Sequence, residues 1–193
     1  MELPKIIKAK KGHQEAVKAV LTLGFSADPL VRWIFPDPTA YLQSFNLWIE
    51  EFSKISFSRD IAFAEEKFLG ASLWLPPGVE VDESVFEPTW ASIPEDRIEI
   101  LFQILEQFAE FHADDCWYLA FLAVDPSMQG QGIGSFILKE ALQMIDAKGE
   151  RAYLEASSER NRALYERHGF EMIGKVQIQD SPPAFPMIRE AHI

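Results

Sequence analysis

Between Trp117 and Ser135 the chain reads Trp117-Tyr118-Leu119-Ala120-Phe121-Leu122-Ala123-Val124-Asp125-Pro126-Ser127-Met128-Gln129-Gly130-Gln131-Gly132-Ile133-Gly134-Ser135. The first eight residues have the apolar and aromatic character of a buried strand, and Asp125-Pro126 is a turn signal. A glycine-rich step follows, and then apolar residues at helical spacing predict a helix from about Gln131 to Lys148. Glycine has a physical use at such a junction. Without Cβ atoms the loop can bring successive N–H groups close to an anion, and the unpaired amides and positive dipole end of the new helix favour phosphate there. A diphosphate is the expected ligand.

Two familiar phosphate loops do not fit. The dinucleotide pattern G-x-G-x-x-G fails because Ser135 stands three residues after Gly132, and a P-loop fails because no Gly-Lys-Ser/Thr closes the turn.

Working outward, Arg151 to Ser157 reads as a short strand, Glu159 to His168 as a helix stopped by Gly169, and Phe170 to Ile178 as another strand. An extended piece from Ala184 to Arg189 ends the chain's regular structure. Upstream, Lys5 to Ala9 is a first strand and Gly12 to Leu23 a helix. Asp28-Pro29 starts a helix over Leu30 to Ile34, and Pro36-Asp37-Pro38 precedes an aromatic-rich helix from about Thr39 to Phe52. Ile61 to Ala64 and Phe68 to Leu75, separated by Glu65-Glu66-Lys67, predict a hairpin. The acidic stretch from Glu80 to Pro88 lacks periodicity and is expected to be an exposed loop able to cover a site. Ser92 and Glu95 resemble a capping box ahead of a helix reaching about Ala113. No internal repeat or linker divides the chain, so residues 1–193 are read as one α/β layered domain with a mixed sheet.

Composition agrees with a folded domain: 193 residues, 48% hydrophobic and 25% charged. The formal net charge of -12 would repel phosphate backbones, which argues against nucleic-acid binding. Cys116 is the single cysteine, so no internal disulfide forms and a reducing, cytoplasmic compartment is expected. Met1 to Lys5 lacks the apolar stretch of a signal peptide, and the apolar run from Cys116 to Val124 is about half the ~20 residues a membrane helix needs.

Gln129-x-x-Gly132-x-Gly134, between a strand and a helix, resembles motif A of the GNAT family of N-acetyltransferases, where such a loop holds the pyrophosphate of coenzyme A. Asn161-Arg162-Ala163-Leu164-Tyr165-Glu166-Arg167-His168-Gly169-Phe170 is similar to motif B of that family. The likeness is strongest from about Trp117 to Ile173, while Asp28 to Trp74 and Leu154-Glu155-Ala156-Ser157 look like the puromycin N-acetyltransferase-like subgroup. The resemblance implies a mostly antiparallel mixed sheet, with a splay between two central parallel strands and helices on both faces. It also implies acetyl-CoA as cofactor, held by Leu122, Ala123 and Val124, by Gln129, Gly130, Gln131, Gly132, Ile133, Gly134 and Ser135, and by Asn161 and Tyr165.

The implied reaction is direct attack of a small-molecule primary amine on a thioester in a ternary complex. Tyr165 is the candidate to protonate the leaving thiolate, a transfer uphill by roughly 2 kcal/mol from reference pKa values. Glu155 is the first candidate for the base and Glu65 the second; the N–H of Val124 or its neighbour is a candidate to polarise the carbonyl. No metal is expected, since His112 with Asp114 and Asp115 reads as a helix end. His168 is explained by its position before Gly169. The aromatic group Trp33, Phe35, Phe45, Trp48 and Phe52 reads as helix core that flanks an acceptor site. The partner is expected to be a small amine, with no membrane association, in a monomer or homodimer. Two alternatives stay open: a non-catalytic acyl-CoA-binding module, and a protein or peptide N-acetyltransferase.

Overall fold

The computed structural model describes residues 3–192. Met1 and Glu2, part of the N-terminal stretch read for a leader, lie outside the described residues, as does Ile193.

Seven strands form one sheet: β1 (Ile6–Lys8), β2 (Ala62–Glu65), β3 (Gly70–Leu75), β4 (Cys116–Val124), β5 (Arg151–Ala156), β6 (Glu171–Met172) and β7 (Phe185–Arg189). Their order across the sheet is β1-β2-β3-β4-β5-β7-β6, and every neighbouring pair is antiparallel except β4 with β5. That exception follows from the connection. A parallel return needs a crossover, and here it is a helix, α6 (Ile133–Asp146), entered through the glycine turn.

Among the described residues there are six further α-helices: α1 (Gln14–Gly24), α2 (Pro29–Ile34), α3 (Pro38–Ala40), α4 (Asn46–Ser58), α5 (Glu95–Phe111) and α7 (Glu159–Glu166). On one face of the sheet Val17 and Leu21 of α1, Ile49 of α4 and Ile104 of α5 pack with Phe121. On the other, Ile137, Leu138 and Ile145 of α6 pack with Trp117, Leu119 and Leu154. Each such aliphatic side chain contributes roughly 1.5–3 kcal/mol by leaving water.

Strand β4 serves both faces by changing phase. Leu73 pairs with Phe121 but Trp74 pairs with Leu119, so Ala120 is the extra residue of a β-bulge. Before the bulge Trp117 and Leu119 face α6; after it Phe121 and Ala123 face the other core. A bulge is what lets one strand switch the side to which its alternate residues point.

Four expectations need correcting. The helix foreseen from Thr39 to Phe52 starts at Pro38 and runs to Ser58, with a wider π turn over Tyr41–Phe45. The supposed loop from Glu80 to Pro88 instead enters a 3-10 helix, Glu83–Ser92, capped by the Asp82 carboxylate. Packing decides this: the Trp48 indole N–H donates to Thr89 Oγ1 at 3.0 Å and the Phe86 ring meets Trp48 at 5.5 Å. No capping box starts α5; Pro94 is its N-cap and supplies no side-chain acceptor. The strand foreseen from Phe170 to Ile178 shrinks to Glu171–Met172 with a bridge at Val176. Between them the backbone at Gly174 passes so close to Phe111 that a Cβ there would lie 2.3 Å from the ring.

A buried ion pair closes the sheet's far side. Arg189 of β7 is bidentate to Asp146 at the end of α6, at 2.7 and 2.8 Å, and its Nε donates to the His168 carbonyl at 2.9 Å. Its side chain is only 5% exposed, so removing the carboxylate strands a guanidinium. We expect Asp146→Ala to cost about 3 kcal/mol, seen in urea unfolding as a lower midpoint at unchanged slope.

Candidate active site

Strands β4 and β5 pair only through Cys116–Arg151, Trp117–Ala152 and Tyr118–Tyr153. Beyond Tyr118, β4 stays with β3 and β5 stays with β7, so Leu119 to Val124 faces a gap rather than a partner strand. At the head of this gap lies the glycine turn. Gly132 takes φ +84° as the N-cap of α6 and brings no side-chain cap, while Gly130 has φ +79°. Gln129 to Gly132 are exposed, and the Gln129 side-chain amide donates to the Val124 carbonyl at 3.3 Å. The first amides of a 14-residue helix thus face outward without a side-chain acceptor.

That cradle, with the unpaired stretch of β4 leading from it, fits a diphosphate joined to an extended arm. Gly132 tests the fit, because a Cβ there meets only the Phe136 ring at 3.7 Å and its constraint is conformational. An L-residue forced into this region costs roughly 1–2 kcal/mol. We therefore expect Gly132→Ala to weaken coenzyme A binding about ten-fold, measured by calorimetry.

Where the strands part, a cavity of about 780 Å³ opens between β4, β5 and the helices of the first half of the chain. Tyr165 of α7 reaches it, as do Asn161, Ser157 and Glu155. Tyr165 is buried, which holds its phenol well above the ordinary value and keeps it protonated at neutral pH. Asn161 Nδ2 donates to Ser157 Oγ at 3.3 Å, and the Ser157 hydroxyl in turn donates to Asp28 Oδ2.

Asp28 also caps α2, its Oδ1 accepting the amides of Leu30 and Val31 at 3.1 and 3.0 Å. Burial raises its pKa against the pull of Ser157 and these amides. The sequence shows Asp28 only as a helix start; nothing local announces that it meets Ser157, 129 residues away.

Glu155 points to the same cavity on the face of β5 shared with Tyr153. The Tyr118 hydroxyl donates to Glu155 Oε2 at 2.8 Å. Burial pushes the Glu155 carboxyl up to about 7, with the Tyr118 and Tyr153 hydroxyls pulling the other way. A carboxyl poised near neutrality at a cavity wall can accept a proton in one state and release it in the next. The His112 ring stacks on Tyr153 at 5.0 Å, and burial lowers its pKa. Tyr118 is a positioning residue that the sequence presents merely as part of a buried strand.

The other candidates fall in different places. Leu122 lines the cavity, whereas the Ala123 side chain belongs to the core and Val124 packs partly against the opposite one. Ile133, the first residue of α6, has a buried side chain, leaving only its backbone for a ligand. The Ser135 hydroxyl lies 3.1 Å from His168 Nε2, a contact that helix position alone did not foretell for His168. Glu65, the second choice for the base, is not brought to the cavity: its Oε2 accepts the amides of Lys67 and Leu69 and so shapes the β2–β3 turn. Cys116 is buried, and burial pushes its thiol up to about 11, which makes it unreactive. Of the aromatic group, Phe45, Trp48 and Phe52 line the cavity while Trp33 and Phe35 stay in the core.

Residues 98–172 match the family model described as the acetyltransferase (GNAT) domain. This span contains β4, the glycine turn, α6, β5 and α7. Over these residues the chain is similar to the GNAT acetyltransferase domain. The chain is also similar, at 29% identity over 86% of its length and 78% of the relative, to a Schizosaccharomyces pombe protein described as an uncharacterized N-acetyltransferase. Among solved structures, a Corynebacterium glutamicum protein described as a histone acetyltransferase and related acetyltransferase matches with a TM-score of 0.69 and 23% identity, over 100% of this chain and 98% of that one. A Drosophila melanogaster polyamine N-acetyltransferase that forms N-acetylagmatine matches at 0.68 and 13% identity, over 96% and 99%. These likenesses establish the GNAT fold for the mixed, mostly antiparallel sheet. Among the described residues no helix is long and apolar enough to cross a membrane.

Proposed function

We propose that residues 1–193 form a single acetyl-CoA-dependent N-acetyltransferase that modifies the primary amine of a small molecule by direct attack in a ternary complex. The observation that carries this reading is the meeting of Glu155 and Tyr165 at one cavity where β4 and β5 separate. The bound cofactor supplies an acyl thioester. Amides from Gly130 to Ser135 would hold its diphosphate, the free edge of β4 at Leu122 to Val124 its arm, and Asn161 the approach to the cavity. Glu155 takes the proton from the acceptor ammonium, and Tyr165 donates one to the departing sulfur. Excluding water from the apolar chamber strengthens both contacts.

The cover formed by Glu83–Ser92, pinned by Trp48 and Thr89, supports a small acceptor over an extended peptide. The polyamine enzyme among the structural neighbours points the same way. The placement beside puromycin N-acetyltransferase-like proteins and a cytoplasmic setting complete the proposal. A thiol-release assay with acetyl-CoA and a panel of amines tests it. Acceptor-dependent release is expected with small primary amines. Cofactor binding without release would leave only an acyl-CoA-binding module, and release with peptides alone would reassign the acceptor.

A further inference from the structure

Asp28 does more than cap a helix. One of its oxygens, Oδ1, accepts the α2 amides of Leu30 at 3.1 Å and Val31 at 3.0 Å, while Oδ2 is turned to the Ser157 hydroxyl in the corner between β5 and α7. Capping needs only the first oxygen, and a neutral serine or asparagine supplies it equally well. The carboxylate is 8% exposed and its hydrogen bonds come from neutral donors only, so keeping it ionised is costly. The charge does what a neutral cap cannot: it dictates which way its neighbour's hydrogen points.

An ionised carboxylate only accepts hydrogen bonds. The Ser157 hydroxyl has a single hydrogen and directs it to Asp28, which leaves Oγ as an acceptor for the next group. That group is Asn161, whose Nδ2 lies 3.3 Å from Ser157 Oγ. The amino end of the Asn161 amide is therefore fixed toward Ser157, and its carbonyl end, Oδ1, away from it. The Asn161 backbone is held separately, its N–H donating to the Ser158 cap at 3.2 Å, so only the sense of the side-chain amide is left to be decided. Among the described residues no donor meets Oδ1, and Asn161 lines the cavity toward which the cofactor arm would run. The pantetheine arm of coenzyme A carries amide N–H groups, which such an acceptor suits.

Building on the N-acetyltransferase reading, on which this rests, we propose that Asp28 is a positioning residue for the cofactor: through Ser157 it fixes the Asn161 amide with its carbonyl presented to an N–H of the pantetheine arm. The relay sets a direction of donation, and an isosteric change reverses it. In Asp28→Asn the cap oxygen stays with Leu30 and Val31, so an amino group replaces Oδ2 and donates to Ser157. The Ser157 hydroxyl then donates to Asn161, whose carbonyl turns to receive it. The Asn161 amino group is left opposite the donor on the arm.

The test is calorimetric titration at pH 8, because burial raises the Asp28 pKa and the relay requires the ionised form. The probes are coenzyme A and adenosine 3′-phosphate 5′-diphosphate, which carries the same phosphoryl groups without the pantetheine arm. Asp28→Asn is expected to weaken coenzyme A binding about ten-fold and to leave the shortened nucleotide within about two-fold of wild type. Asn161→Ala is expected to show a loss of similar size, and adding Asp28→Asn to it to change nothing further, since both act through one hydrogen bond. Should Asp28→Asn misfold, Ser157→Ala interrupts the relay without touching the cap and is expected to give the same selective loss, about five-fold. Equal weakening of both probes, no weakening of either, or a full Asp28→Asn effect in the Asn161→Ala background overturns the relay. Acceptor-dependent thiol release by the wild-type protein would then leave the acetyltransferase reading standing. A wild-type protein that binds neither probe overturns that reading and the relay with it.

Discussion

Replacing Glu155 by Gln is expected to lower turnover about a hundred-fold, within the range of a lost general base, while coenzyme A binding stays the same. The wild-type rate should climb ten-fold per pH unit below the carboxyl's value of about 7 and level off above it. The variant should lose that ascent. The same substitution has a stability signature of defined sign. Folded Glu155 titrates at about 7 against an ordinary value of 4.5, so between those values the folded state holds a proton that the unfolded chain releases. Stability present below pH 4.5 is therefore lost as pH rises through 7, by up to about 3 kcal/mol. Glu155→Gln should accordingly melt higher than wild type at pH 8 and no higher at pH 4. A pH-independent rate together with unchanged turnover in the variant would remove Glu155 from the chemistry.

Tyr165→Phe is expected to reduce turnover ten-fold or more with little loss of coenzyme A affinity. Burial raises this phenol above its reference value, which makes full transfer to a thiolate steeper than the roughly 2 kcal/mol given by free groups. The hydroxyl therefore acts as a donor that accompanies sulfur departure, its proton moving together with the breaking bond. Single-turnover measurements at saturating acceptor separate this from product release. Equal single-turnover rates in the two proteins would exclude the role.

Much of the architecture is legible where chemistry is local. The strand from Trp117, the glycine turn and the following helix announce themselves through composition and periodicity. The hairpin of β2 and β3 does so through its polar turn. Glu155 can be singled out from its strand, but its partner Tyr118 lies 37 residues away across the first pairs of a parallel ladder. Asp28 and Ser157 meet across most of the chain, and helix capping hides the carboxylate's second contact. The segment around Glu83–Ser92 lacks periodicity because its few apolar side chains, such as Phe86, dock singly instead of forming a face. The Ser92 and Glu95 pattern misleads because Pro94 already fixes the backbone at the helix entrance. Glu65 looked available on a strand end, yet a turn with two amides to satisfy takes up its carboxylate.

The two sides of the cavity come from different stretches of polypeptide. Its aromatic wall is built largely from residues before Ala113, and its reactive edge from β5 and α7. Selection can therefore reshape which amine is welcomed by altering the early helices, leaving the thioester-handling half untouched. The bond between Asp28 and Ser157, like the stacking of His112 on Tyr153, obliges the two inheritances to change in step.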